Sequence, residues 1–286
     1  MRIVKHYRDN ETLRRSFNAL AEETFGLSFE NWYQMGFWGG DYEPYSVVTG
    51  GRVVANVSLN RTDMVINGQH RRLYQLGTVM TAKEYRRRGY IRAIMEQIEK
   101  DTADADGVYL FANDSVLDFY PKFGFTPEKE YVYSKILSQT GPCRMERISM
   151  DVPENREKLR RAILESTFPA ACYMTGNPGL IFFYAAQFLR ECVYYNGALD
   201  TWAIGEWDGG ELLLHNIFSS RDILLEDVLK SFGSGVKKVS LGFAPADTAG
   251  FDCREYKEAD TTFFVKGEAF ADFARNRLRI PSLSHA

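Results

Sequence analysis

At 286 residues the chain is long for one compact domain and sufficient for two, and its 45% hydrophobic and 26% charged composition is that of a globular protein. A formal charge of −3 argues against general nucleic-acid binding, and no apolar run approaches the length of a membrane span. Met1 to His6 lead into a polar segment without a secretory signal, and Cys143, Cys172, Cys192 and Cys253 lack CxxC spacing, so buried free thiols in a cytoplasmic protein are expected.

Residues 3–7 suit a short strand. Leu13, Phe17, Leu20 and Phe25 fall on one face of a helix from Asn10, which Gly26 ends, and Phe29 to Met35 suits a second short helix. An aromatic, glycine-rich loop, Gly36 to Gly40, precedes a strand at Tyr45 to Val48 and a hairpin turn at Gly50-Gly51. Residues 53–60 alternate, with Val53, Ala55, Val57 and Leu59 on one face and Asn56, Ser58 and Asn60 on the other. Asn67-Gly68 predicts a hairpin, and Leu73 to Met80 a strand that Gly77 interrupts with a bulge.

After Gly89, Ile91, Ile94, Met95 and Ile98 share a helix face. Val108 to Ala112 reads as a strand buried on both faces. Asn113, Asp114 or Ser115 caps the helix expected next, and Gly124 ends it. A strand at Tyr131 to Leu137 leads to a break near Ser138 to Pro142.

Beyond the break, helices are expected at Glu154 to Glu165, Leu180 to Cys192 and Ile223 to Phe232. Strands are expected at Trp202 to Glu206, Leu212 to Phe218, Lys238 to Phe243 and Thr261 to Val265. The expected domains are therefore 1–138 and 141–286, both mixed α/β, the second without a copy of the Arg-rich turn of the first.

That turn, Tyr85-Arg86-Arg87-Arg88-Gly89-Tyr90-Ile91-Arg92, joins a strand to a helix. Free backbone N–H groups and the helix dipole meet there, which is an anion site. Gly89 lets the backbone approach a pyrophosphate, and the arginines add forked donors. Four arginines at a helix N-terminus oppose the dipole unless an anion offsets them; the alternative is a solvated basic helix start.

Tyr120, about thirty residues on, is protonated at neutral pH and suits proton donation to a departing thiolate; the alternative is a packed core aromatic. Pro121 kinks the expected helix beside it. Asn113 is either a ligand contact or a plain cap, and the strand Gly77 to Thr81 offers backbone groups to an extended ligand. His6, His70, His215 and His285 are isolated, so no metal site is expected. No Walker loop or Gly-x-Ser-x-Gly elbow occurs.

These residues resemble the GCN5-related N-acetyltransferases (GNAT), whose signature is Gln/Arg-x-x-Gly-x-Gly/Ala. Arg86 to Ile91 matches the Arg and the first Gly, and Ile91 replaces the final small residue. The stretches Gly77 to Gly89, Leu110 to Ser115 and Phe119 to Phe125 look most like the subgroup of enhanced-intracellular-survival acetyltransferases. The resemblance covers about residues 1–137 strongly and implies a GNAT fold followed by a degenerate GNAT-like unit without a second acetyl-CoA site.

The resemblance further implies an acetyl-CoA-dependent N-acyltransferase that acts on a primary amine of a small molecule or peptide by direct transfer. Tyr120 would be the general acid. Val79, Met80 and Thr81 would pair with the pantetheine arm, with Asn113 and Ser115 on the same arm. Arg86, Arg87, Arg88, Gly89, Tyr90, Ile91 and Arg92 would hold the phosphates. Neither metal, nucleic acid nor membrane is expected as a partner.

The general base is open among Glu30, Asp41, Glu43, Asp63 and Asp118. An acceptor pocket is expected from the aromatic loop Trp32 to Tyr45 and the second half. Trp38, Phe37 and Tyr42 either stack on a ligand or pack between the halves. The rival readings are a longer acyl donor and a non-catalytic acyl-CoA-binding module.

Overall fold

The computed structural model describes residues 2–138, 141–167 and 170–285, so part of the expected break lies outside the described residues. The first half runs β1 (Ile3–Val4), α1 (Glu11–Phe25), α2 (Glu30–Gln34), β2 (Tyr42–Thr49), β3 (Arg52–Arg61), β4 (Met64–Ile66), β5 (Gln69–Arg71), β6 (Leu73–Thr81), α3 (Tyr90–Asp101), β7 (Gly107–Ala112), β8 (Thr126–Pro127) and β9 (Glu130–Ile136). The second runs β10 (Glu146–Arg147), α4 (Pro153–Glu165), β11 (Cys172–Met174), α5 (Pro178–Phe183), β12 (Val193–Asn196), β13 (Thr201–Asp208), β14 (Glu211–Phe218), α6 (Leu225–Ser231), β15 (Lys238–Leu241), β16 (Asp252–Tyr256) and β17 (Thr262–Lys266).

Local chemistry accounts for most boundaries. Asn10 caps α1 by accepting the Leu13 N–H at 3.1 Å, and Gly26 ends it at φ 67°. Asn67 and Gly68 both take positive φ, as the two-residue turn between β4 and β5 demands.

One expected helix is not formed and another forms with a different bound and pitch. After β7 the chain makes two short 3₁₀ turns, Asp114–Val116 and Tyr120–Phe123, with Pro121 opening the second. The expected helix Leu180 to Cys192 is α5 followed by a wider π-helical turn, Tyr184–Phe188. The cysteines also depart from expectation: only Cys172 is buried, while Cys143 is exposed.

Two seven-stranded sheets form the fold, in the orders β1-β2-β3-β6-β7-β17-β8 and β10-β12-β13-β14-β15-β9-β16. The sheets exchange strands. β9, from the first half, pairs with β15 and β16 in the second sheet. β17, from the second half, pairs with β7 and β8 in the first. A third pairing, β11 on β4, joins the halves through a small sheet. The change of sheet therefore does not coincide with the expected boundary at 138–141.

Aromatic packing seals the junction. Phe29 stacks on Phe183 with ring centroids 5.2 Å apart, Phe37 lies on Phe182 at 3.9 Å, and the Trp32 Nε1 donates to the Gly179 carbonyl at 2.7 Å.

Strand exchange leaves each half short of an interior strand. A fragment ending at residue 138 exposes the apolar edge of β7, so soluble expression should fail and coexpression with the remaining chain should restore it, as read by soluble yield and circular dichroism.

Burial produces a second testable property. Glu130 opens β9, its Oε1 accepts the Ile280 N–H at 2.9 Å, and burial pushes its carboxyl up to about 7, partly opposed by Arg279. Because the folded pKa lies above the unfolded one, its contribution to stability is complete at low pH and is lost as pH rises through about 7. Thermal melts should show the wild type losing stability from about pH 5 to about pH 8, and Glu130→Gln flattening that slope.

Candidate functional site

The site begins with an irregularity in β6. Against β3 the register shifts between Asn56, opposite Met80, and Ser58, opposite Gly77, so Thr78 and Val79 face a single residue. The bulge lies one residue beyond Gly77, and Thr78 takes φ 47°, a strained value for a β-branched residue.

A buried side-chain relay holds it. The Tyr7 hydroxyl meets Ser46 Oγ at 2.6 Å, Ser46 Oγ donates to Asn56 Oδ1 at 2.8 Å, and Asn56 Nδ2 donates to the Thr78 carbonyl at 2.9 Å. Tyr42 adds a 2.6 Å bond to Thr78 Oγ1. The polar face of β3 is thus as buried as its apolar face, with Asn56 wholly enclosed.

On its other side β6 pairs in parallel with β7 only from Leu73↔Gly107 to Leu76↔Leu110. Beyond that point the strands part. Between them opens a crevice of about 1110 Å³. The parted segment of β6, Gly77 to Thr81, lines it, with Asn113 and Ser115 past the end of β7.

The Arg-rich turn closes one end. Arg87 and Gly89 both adopt the left-handed conformation, at φ 62° and 77°, and Gly89 caps α3. The first-turn N–H groups of Tyr90, Ile91 and Arg92 have no acceptor within the helix, and the first turn carries no acidic residue. Arg86 Nε reaches the Thr81 carbonyl at 3.3 Å, and an Arg88 N–H donates to the Glu84 carbonyl at 2.8 Å. Among the described residues neither these two nor Arg87 nor Arg92 is paired with a carboxylate. Ile91 packs against the core beneath the turn.

Tyr120 lies farther along the crevice, 5% exposed, among Phe119, Phe125 and Phe264. Phe264 belongs to β17, so the second half buttresses this tyrosine. Burial pushes its phenol up to about 12, and its hydroxyl has no hydrogen-bond partner among the described residues.

All thirteen residues expected at the site line this one crevice. The five carboxylates considered as bases do not. Glu30 is held by Arg14 at 3.0 Å, Glu43 by His6 and Asp63 by Arg61, while Asp41 and Asp118 also lie outside the lining. Trp32 and Phe37 pack against the second half, Trp38 and Tyr42 pack beside them in the first, and none of the four lines the crevice.

The far wall is instead Phe25, Leu27 and Phe29 with Phe183, Tyr184, Phe188 and His285. His285 stacks on Phe111 at 3.8 Å, and burial lowers its imidazole to about 3. Tyr184 and Phe188 sit in a π turn and His285 lies beyond β17, where the sequence leaves no periodic signal. Among the described residues no three carboxylate, imidazole or thiol side chains converge as a metal site.

Residues 10–127 match the family described as acetyltransferase (GNAT) domain. That stretch is therefore similar to a GNAT domain. No curated protein matches the chain by sequence. Three solved structures share its fold. A conserved protein of unknown function from Enterococcus faecalis V583, a probable N-acyltransferase, is 16% identical with TM-score 0.61, over 95% of this chain and 74% of that one. A GCN5-related N-acetyltransferase from Kribbella flavida is 18% identical with TM-score 0.55, over 92% and 70%. Eis1 from Mycobacterium abscessus is 12% identical with TM-score 0.55, over 92% and 73%. These similarities run through both sheets, and the second sheet fits a second GNAT-like unit behind the GNAT domain.

If the relay shapes the bulge, Asn56→Leu removes the side-chain donor of the Thr78 carbonyl and one partner each from the Ser46 and Ser58 hydroxyls. Urea denaturation should show a loss of about 1–3 kcal/mol with little change in the denaturant slope.

Proposed function

We propose that the chain is an N-acyltransferase that moves an acetyl group from acetyl-CoA to a primary amine by direct transfer in a ternary complex. The observation that carries this reading is the single crevice, in which an anion-binding helix start, a parted strand with free backbone groups and a buried, unpartnered phenol follow one another.

In this reading Arg86 to Arg92 hold the pyrophosphate, with the N–H groups of α3 supplying fixed partial charge. Val79 to Thr81 pair with the pantetheine arm, and Asn113 and Ser115 contact it from the opposite lip. A backbone N–H at the bulge polarises the thioester oxygen as negative charge develops there.

The amine nitrogen bonds to the acyl carbon, the carbon–sulfur bond breaks, the nitrogen loses one proton and the sulfur gains one. Tyr120 stays protonated at working pH and hands its proton to the sulfur as that bond breaks. A phenol near 12 is a weaker acid than a thiol near 8.5, so transfer is complete only when the phenolate recovers the proton shed by nitrogen. Much of the remaining rate enhancement comes from holding the two reactants in line.

One observation favours a second reading. Among the described residues no carboxylate lines the crevice, as suits an acyl-CoA-binding module without chemistry. Tyr120→Phe separates the two. For a transferase it should cut turnover by roughly tenfold or more with little change in coenzyme A affinity, measured by thiol release and calorimetry. Unchanged turnover removes the role of Tyr120.

A simpler measurement bears on the donor. Acetyl-CoA at about a hundredfold its Kd should stabilise the chain by about 2.7 kcal/mol in a thermal melt. Arg87→Ala should weaken that shift.

A further inference from the structure

We propose that the acceptor is a monoamine with an aromatic, apolar body, bound at the end of the crevice between α1 and the turn Tyr184–Phe188. This rests on the transferase reading and specifies its second substrate.

Three observations lead there. The first is the wall itself: Phe25, Leu27, Phe29, Phe183 and Phe188 converge from both halves of the chain. Phe25 is 44% exposed and Phe188 53%. Large rings left in contact with water at the rim of a concave, apolar wall mark a surface that a ligand covers.

The second is charge. The ionised side chains of the crevice are the arginines of the phosphate turn, and among the described residues no Asp or Glu lines it. A polycation entering here would lose its hydration without meeting a carboxylate and would face that arginine cluster. His285, flat against Phe111, extends the aromatic wall and adds no positive charge, because burial keeps its imidazole neutral.

The third is access. A longer acyl chain would arrive already attached to its carrier and would need no opening of its own. The rim between Phe25 and Phe188 opens to solvent, which serves a reactant that arrives separately.

The missing carboxylate narrows the class further. Among the described residues an ammonium would find no carboxylate side chain in the crevice to take its proton. An aromatic amine, whose lone pair is delocalised into its ring, enters uncharged at neutral pH.

The test is calorimetric titration of the full chain saturated with coenzyme A, using 2-naphthylamine and spermidine as probes, with thiol release from acetyl-CoA followed in parallel. The expected result is 2-naphthylamine binding at least about tenfold tighter than spermidine, with Phe188→Asp narrowing or reversing that preference. Phe188 is more than half exposed, so the substitution spares the core.

Spermidine binding as tightly as 2-naphthylamine, or neither amine binding, overturns the proposal, while thiol release with other amines would keep the transferase reading. Exclusion of 2-naphthylamine when octanoyl-CoA replaces coenzyme A assigns the chamber to the donor and also overturns it. Binding of 2-naphthylamine without thiol release from any amine leaves the ligand class standing and removes the transferase reading instead.

Discussion

A run of buried hydrogen bonds from Tyr7 through Ser46 and Asn56 to the Thr78 carbonyl governs the geometry of the crevice. A threonine at positive φ costs on the order of 1–3 kcal/mol. The relay, with Tyr42 on the Thr78 hydroxyl, offsets that strain by satisfying every polar group it buries. Because β6 is bulged there, its ladder with β7 stops at Leu76 and the two strands diverge. A regular strand at this point would continue the sheet and close the crevice.

The second half completes the crevice although its sequence has no copy of the Arg-rich turn. β17 covers the edge of β7 and sets Phe264 against Tyr120. The end of the chain returns to the same place. Tyr109 donates to the Ser284 carbonyl at 2.8 Å and Tyr184 to the His285 carbonyl at 2.6 Å, which brings the His285 ring to the crevice wall. The second half therefore contributes a wall, a buttress and an interior strand to the first.

Features encoded over a few residues were legible in the sequence: the cap at Asn10, the turn at Asn67-Gly68, the left-handed Gly89, and the bulge next to Gly77. The Arg-rich turn and Tyr120 also stood out, because each is a run of contiguous residues after an apolar strand, and both line the crevice. What escaped was long-range. Nothing in Glu130–Ile136 or Thr262–Lys266 says which sheet each strand joins, since an alternating apolar strand suits either. The aromatics Phe37, Trp38 and Tyr42 drew notice as ligand contacts or as packing between the halves; Phe37 does lie on Phe182 and the other two are buried in the first half, while the less conspicuous Phe25, Phe183 and Phe188 line the crevice. The helix expected after β7 failed because Pro121 and the packing of Tyr120 favour two tight turns.

The exchange of β9 and β17 also bears on how the protein is made. A ribosome delivers β7 long before β17, and through that interval the strand Gly-Val-Tyr-Leu-Phe-Ala has an open flank. Pairing so distant in sequence is slow to form, and an uncovered apolar flank invites association with other nascent chains. Prematurely terminated synthesis products would lack both the support behind Tyr120 and the wall around His285. Coupling the crevice to a strand so late in the sequence means that its walls are complete only once β17 has been added.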